Sequence, residues 1–422
     1  MIKYILILAI ALSIIFGIAG CLSVKDAEVK IKKVTDMDTL FKENSAEVLG
    51  HDGAYSIPLK DGGVFWSFGD TLIGPSRRGY DPEKMLIDSW LAEAWAKEHI
   101  TMISNTGLFI STRDANELLS ASPVYFTKGN AAQEIISPSM PPDRDERYRP
   151  VWPMDGIELD GKIYVFYILV DCGASDEKGE EAELDINLYG TGLARATYPY
   201  TQFERVRPTV SPTPPKDPAN LCEHPFIWWN NDFGENLTQV PAFGTAVLKK
   251  PVGGYIYIYG SRIEFDRDKI VHAVSLARVL PENFEDVTQY EYLVGPGPRW
   301  GKDPKRAITV FEGNSNELSV SYNRYLGKYV AVYSYAGAVG QDGKIPPGNL
   351  EEIHLRTSEK PWGSWSESIT VYKGRKSCEG DICYAAKEHH EYCEQDGKII
   401  YVTYVSHQRY FPELIKIELE KE

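Results

Sequence analysis

Asp52 and Asp70 are the two residues whose type and spacing most directly suggest chemistry. They bracket a hairpin: His51-Asp52-Gly53-Ala54-Tyr55-Ser56, a turn at Asp61-Gly62, then Phe68-Gly69-Asp70-Thr71. The turn lies midway between them, so both carboxyls fall at the same end of adjacent antiparallel strands. A two-residue turn pairs Asp52 with Thr71, whereas a loop centred on Asp61 pairs it with Asp70. Directly paired Cβ atoms would lie about 4.5–5.5 Å apart. Two acids that close cannot ionise independently, so one holds a proton while the other stays charged. At about 5–5.5 Å between carboxyls such a pair suits retaining glycoside hydrolysis, and at about 6.5–9.5 Å inversion through water. The competing reading makes Asp52 a turn cap and Asp70 a strand terminus.

Further polar groups recur near the starts of later strands: Asp155, Glu317 and His390, with Arg262 following the third hairpin strand. If each inner strand begins near one axis, these groups converge with His51 and Asp52 on one pocket. Trp90, Trp95 and Trp152 are candidate platforms for stacking a sugar ring. Arg262 could orient a carboxylate or hydroxyl there, or simply pair with Glu264.

The elements that must position these residues repeat. A glycine turn precedes an apolar strand at Val64–Phe68, Ile163–Tyr167, Tyr255–Tyr259, Tyr329–Tyr333 and Ile399–Tyr404, and each is followed by a second strand. Asp-Gly between apolar runs is a hairpin signal, because glycine accepts positive φ without steric cost. Five such units predict an all-β, five-bladed β-propeller. The alternative is a large β-sandwich, which would need five coincidental hairpins. Glu83 to His99 places Leu86, Trp90, Leu91, Ala94 and Trp95 at helical spacing, so a short helical insertion is expected in the first blade. Ala27 to Val34 alternates and is a candidate strand to close the ring against the carboxyl-terminal blade. Asp171 to Asp185 reads as an acidic, solvated excursion, and the five prolines between Pro208 and Pro218 exclude a central strand.

The amino end reads as an address. Lys3 precedes an apolar run from Tyr4 to Ile18 that ends in Ile18-Ala19-Gly20-Cys21, which looks like a lipobox with lipid attachment at Cys21. The organisation expected is a signal peptide over 1–20, a lipid-anchored tether and ring-closing strand over 21–35, and the propeller over 36–422. The protein is then exported and held by its lipid on the outer face of the cell membrane. An uncleaved amino-terminal anchor is the alternative, with the same consequence for location. Five further cysteines (Cys172, Cys222, Cys378, Cys383 and Cys393) allow at most two internal disulfides.

The chain has 422 residues, with 60 acidic against 45 basic groups and a formal charge of -15, which argues against a nucleic-acid partner. No H-E-x-x-H zinc motif or G-x-S-x-G serine elbow is present. No cofactor is required by any motif. Asp143-Arg144-Asp145 and Asp266-Arg267-Asp268 lack the rest of a calcium loop, so bound calcium is left open but not indicated, and no metal ligands are assigned. A monomer is expected.

These residues resemble a family of five-bladed propellers long known only as a domain of unknown function, some of whose members are endo-D-arabinanases. The resemblance rests on His51-Asp52-Gly53 through Phe68-Gly69-Asp70-Thr71, and on Tyr189-Gly190-Thr191-Gly192-Leu193-Ala194-Arg195. It continues in Phe243-Gly244-Thr245-Ala246 with Tyr259-Gly260-Ser261, and in Leu355-Arg356-Thr357-Ser358 with Pro361-Trp362-Gly363. It implies a glycoside hydrolase acting on an arabinan-like or other envelope polysaccharide, with Asp52 and Asp70 as the catalytic pair. The alternative is a propeller lipoprotein that binds a glycan or a protein without catalysis.

Overall fold

A computed structural model describes residues 29–137, 150–172, 186–200, 202–210, 226–231, 240–250, 252–266, 269–340, 346–373 and 382–421. The lipobox with Cys21, most of the acidic excursion, most of the proline-rich stretch, Cys222 and Cys378 lie outside these residues. Cys383 is disulfide-bonded and Cys393 is free.

The fold is all-β, in a propeller arrangement with few helices. Among the described residues there are five sheets of at least four strands and one two-stranded ribbon. In chain order the strands that matter here begin with β1 (Val29–Thr39) and the hairpin β2 (Val48–Pro58) and β3 (Val64–Ile73), which continues to β4 (Thr106–Ile110). The second sheet starts with β5 (Val151–Leu159), β6 (Lys162–Cys172) and β7 (Ile186–Thr197). The third starts with β8 (Ala242–Val247), β9 (Ile256–Asp266) and β10 (Lys269–Val279). β11 (Asn314–Asn323), β12 (Lys328–Tyr335) and β13 (Glu352–Ser358) open the fourth. The last sheet runs β14 (Cys383–Glu388), β15 (Ile399–Ser406), β16 (Pro412–Lys421) and then β1.

The turns follow from sequence. Asp160 and Gly161 take φ of 50° and 74°, and Leu159 pairs with Lys162, which is a two-residue hairpin of the kind Asp-Gly favours. The second strands of the sheets are not half-buried as simple alternation predicts. Every residue of β15 is buried, as is Val64 through Gly69 of β3. Both faces of such a strand pack against a neighbouring sheet, so apolar residues are needed on each. One hydrophobic cluster joins Ile57 and Phe65 of the first sheet to Ile163 and Val165 of the second. Others join Phe166 to Phe243, Tyr259 to Tyr333, Val332 to Val402, and Tyr401 to Trp66. Each fully buried large side chain contributes about 1.5–3 kcal/mol.

The expected single helix of the first sheet is two short ones, α1 (Ile87–Leu91) and α2 (Ala94–His99). Glu93 between them is extended, with φ −65° and ψ 145°, which breaks the helical run.

A shared irregularity positions the site. The first strand of each of the five sheets carries a register shift against its partner: at His51/Gly53/Tyr55, opposite Val165/Tyr167, at Phe243/Ala246, at Asn314/Leu318 and at Tyr384/Lys387. A bulge adds a residue and turns a side chain away from the regular pleat.

Candidate active site

The hairpin carrying the two aspartates has the register of a loop centred on Asp61: Pro58 pairs with Val64, Tyr55 with Ser67, and His51 with Thr71. Within the bulge Gly53 pairs with Phe68, which leaves Asp52 facing Gly69 and Asp70 on β3. The two acids are therefore brought together, and both remain partly exposed.

Each has a donor from another sheet. The indole Nε1–H of Trp152 on β5 donates to Asp70 Oδ1 at 2.8 Å. The Tyr384 hydroxyl on β14 donates to Asp52 Oδ2 at 3.2 Å. Burial, followed by the negative fields of Asp70 and then Glu317, holds Asp52 well above the usual aspartate range, against the opposing pull of Tyr384 and Lys387. Burial and the neighbouring Asp52 also push the Tyr384 phenol up, so it stays protonated and able to donate. Glu317 Oε1 accepts from the Lys387 ammonium at 3.0 Å, and that ammonium lies 4.1 Å from the centroid of the Tyr55 ring. Among the described residues this mouth thus holds three carboxyls, with one buried cation beneath them. A carboxyl held above its usual range beside a second carboxyl is an arrangement that acid-assisted cleavage of an acetal can use.

Gly69 makes the close approach possible, since a Cβ there would collide with Asp52 Oδ1. Its φ lies outside the left-handed region, so alanine fits the backbone but displaces the carboxyl. Gly69→Ala is expected to lower turnover about 100-fold, the scale of a 1 Å misplacement. Gly69 is buried, but the clash falls on one movable carboxylate, so the cost should be about 1 kcal/mol and thermal unfolding should fall by only a few degrees; a normal rate would remove this positioning role.

Several expected site residues lie elsewhere. His51 is fully buried, stacks on Phe68 with ring centroids 3.8 Å apart, and its Nε2 shares a hydrogen bond of 3.0 Å with Tyr125 Oη. It is a core imidazole and not a sugar ligand, because the bulge turns Asp52 and not its neighbour towards the mouth. Burial pushes His51 down to about 3. Unfolded, it titrates near 6.5, so between these values the unfolded chain binds a proton that the folded one refuses. Its contribution is complete above pH 6.5 and falls with acidification by about 1.4 kcal/mol per pH unit. Urea unfolding at pH 6.5 and 5 should show wild type losing about 2 kcal/mol more than His51→Gln; equal losses would refute the buried neutral imidazole.

Trp90 is also fully buried, with its indole N–H donating to Arg78 O at 2.9 Å, and so is core rather than a stacking platform. Trp95 stacks on His99 at 4.8 Å within the helical insertion. Arg262 is buried and bound to Glu264 and to Ala307 O, the structural alternative. Asp155 lies three residues further along β5 than Trp152; it accepts from Val247 N at 2.7 Å and pairs with Lys249. His390 follows the end of β14 on a turn, 3.6 Å from Glu388, and so sits at the opposite mouth. A cavity of about 570 Å³ opens there, lined among others by Ser56, Asp155, Lys249, Glu388 and His390. Asp52 and Asp70 do not line it, whereas Tyr55 and Lys387 do, which places these two between the mouths.

Tyr384, Lys387 and Tyr55 were not legible as site residues. The one local signal is Ala385-Ala386, small residues between two large polar ones, where Ala385 takes a φ of 60°. Among the described residues no group of three His, Cys, Asp or Glu is arranged to hold a metal ion, and no helix is long and apolar enough to cross a membrane.

Residues 42–415 match the sequence profile of the family described as a domain of unknown function, DUF4185. A comparison with curated proteins finds no match. Among solved structures, a Bacteroides ovatus protein provisionally described as a hydrolase aligns with a TM-score of 0.53 at 14% identity, over 89% of this chain and 87% of that one. A family 117 glycoside hydrolase from Zobellia galactanivorans gives 0.41 at 10% identity, covering 94% and 91%. A β-xylosidase/α-arabinofuranosidase from a compost metagenome gives 0.42 at 13%, covering 92% and 95%. At these identities likeness speaks to fold alone, and of the three only the first exceeds a TM-score of 0.5.

Proposed function

Because the chain belongs to the DUF4185 family, whose description carries no activity, we propose from the geometry of its site that it is a glycoside hydrolase acting on an arabinan-like or other envelope polysaccharide. The observation that carries this reading is the placement of Asp52 against Gly69 and Asp70, with separate donors on the two carboxyls. Asp52, held protonated by its surroundings, passes its proton to the leaving glycosidic oxygen as the bond to the anomeric carbon breaks. Asp70 supplies the electron pair on the other side, either directly to that carbon or by taking a proton from the attacking water. Trp152, whose N–H donates to Asp70, is in this reading the platform that meets the sugar.

The five sheets act in this reading as five blades. Support comes from contacts between the first strands in cyclic order: β2 with β5, β5 with β8, β8 with β11, β11 with β14, and β14 with β2. Export and lipid attachment at Cys21 would hold this monomeric enzyme against the envelope polymer it cuts, and rest on the apolar run and Ile18-Ala19-Gly20-Cys21. The test is product release from arabinans and other envelope polysaccharides by the mature chain, beside Asp52→Asn and Asp70→Asn. Binding without products, unchanged in both variants, would identify a non-catalytic glycan-binding propeller instead.

A further inference from the structure

The third carboxyl at the mouth, Glu317, is matched by the one buried cation that reaches it. Lys387 is 2% exposed, its ammonium is 3.0 Å from Glu317 Oε1, and the Tyr55 ring lies 4.1 Å from it. Both partners come from other sheets, Glu317 from the bulge of β11 and Tyr55 from beyond the bulge of β2, while Lys387 follows the bulge of β14. Resting on the hydrolase reading, we propose that Lys387 is a positioning residue: locked on Glu317 and Tyr55, it cancels the third carboxylate so that the acid pair keeps a single proton.

Three carboxyls with one proton and one ammonium leave the mouth with a net charge of about −1. Removal of the ammonium alone leaves −2 in the same confined space, which the site relieves by taking up a second proton. That proton neutralises the carboxylate that must supply electrons. Removal of Glu317 and Lys387 together returns two carboxyls with one proton, again −1. Other charged groups near Lys387 are already answered. Asp155 pairs with Lys249 across from β5, and Glu388 on β14 is held by Ser321 at 2.6 Å and by His390. His389, after β14, is kept neutral first by burial and then by the fields of Lys387 and Lys249. Tyr384 on β14 and Asp52 on β2 complete the set.

The test uses the mature chain with Lys387→Met, Glu317→Gln and the double variant. Expected for Lys387→Met is an acidic limb of the pH–rate profile moved up by about one unit, so that at any pH below the limb the rate is about tenfold lower than wild type. In the double variant the limb should return to near its wild-type position, whereas lost packing alone would not be rescued by the second substitution. Carboxyl carbon NMR of Asp52 follows the first proton of the pair without substrate, and the same lost ammonium acts on it: its midpoint should rise in Lys387→Met and return in the double variant. If no polysaccharide is cut but this midpoint moves as stated, the hydrolase reading fails and the charge device stands. A midpoint and limb unmoved in Lys387→Met, or unrestored in the double variant, would overturn the proposal. Should Lys387→Met not fold, Lys387→Arg serves: it keeps the charge and should keep the limb, and a shifted limb would count against the proposal.

Discussion

Replacing either aspartate by asparagine is expected to lower polysaccharide hydrolysis about 1,000-fold, within the range for losing one acid–base group. The two losses should differ in kind. Asp52→Asn removes the proton donor, so a substrate whose leaving group needs no proton, such as an aryl glycoside, should recover most of the rate. Asp70→Asn removes the electron-pair source and should not be rescued in this way. Neither variant should unfold. Asp52 is held well above its usual range by burial and by Asp70, which means its ionised form is disfavoured in the folded chain, and a neutral amide relieves that conflict. Thermal unfolding of both variants should equal or exceed wild type. A fall of several degrees together with lost activity would instead mark the carboxyls as structural.

The second large effect concerns the ends of the chain. β1 pairs antiparallel with β16 from Val29 opposite Lys421 to Thr39 opposite Glu413, so the last sheet is built from both ends of the sequence. Val29 is buried, and Ile31 and Val34 pack on the cluster that holds Ile415, Ile417 and Leu419. Starting the chain at residue 40 removes this strand and leaves β16 as an apolar edge. At about 1.5–3 kcal/mol per buried aliphatic side chain, the cost is on the order of 5 kcal/mol, with aggregation through the bared edge. Denaturant unfolding of the shortened chain should show a much lower midpoint. An unchanged midpoint would mean that β1 adds nothing to the last sheet.

Much of this was readable from residue order. Asp160-Gly161 fixes a two-residue turn, and the aromatic and β-branched runs that follow such turns become the second strands. The placing of Asp52 against Asp70 followed from a turn midway between them. The failures share a physical cause. A period-2 pattern cannot encode a bulge, and every first strand has one, so which polar residue reaches the mouth was not legible. The bulge takes Asp52 to the mouth and leaves His51 in the core; it brings Tyr384 to the mouth and Lys387 beneath it, while His390, past the strand, falls at the other end. Trp90 shows a second cause: helical spacing identified an amphipathic segment but not which of its tryptophans is fully buried against the first sheet.

In the proposed mechanism Asp52 and Asp70 hold one proton between them, on Asp52, at neutral pH. This is tested most directly by carbon NMR titration of protein labelled at the aspartate carboxyls, with Asp52 assigned by Asp52→Asn. Asp52 should titrate well above the ordinary aspartate value near 4, and its midpoint should fall in Asp70→Asn as the repelling charge is removed. An Asp52 carboxyl that titrates near 4 and ignores the loss of Asp70 would contradict the account.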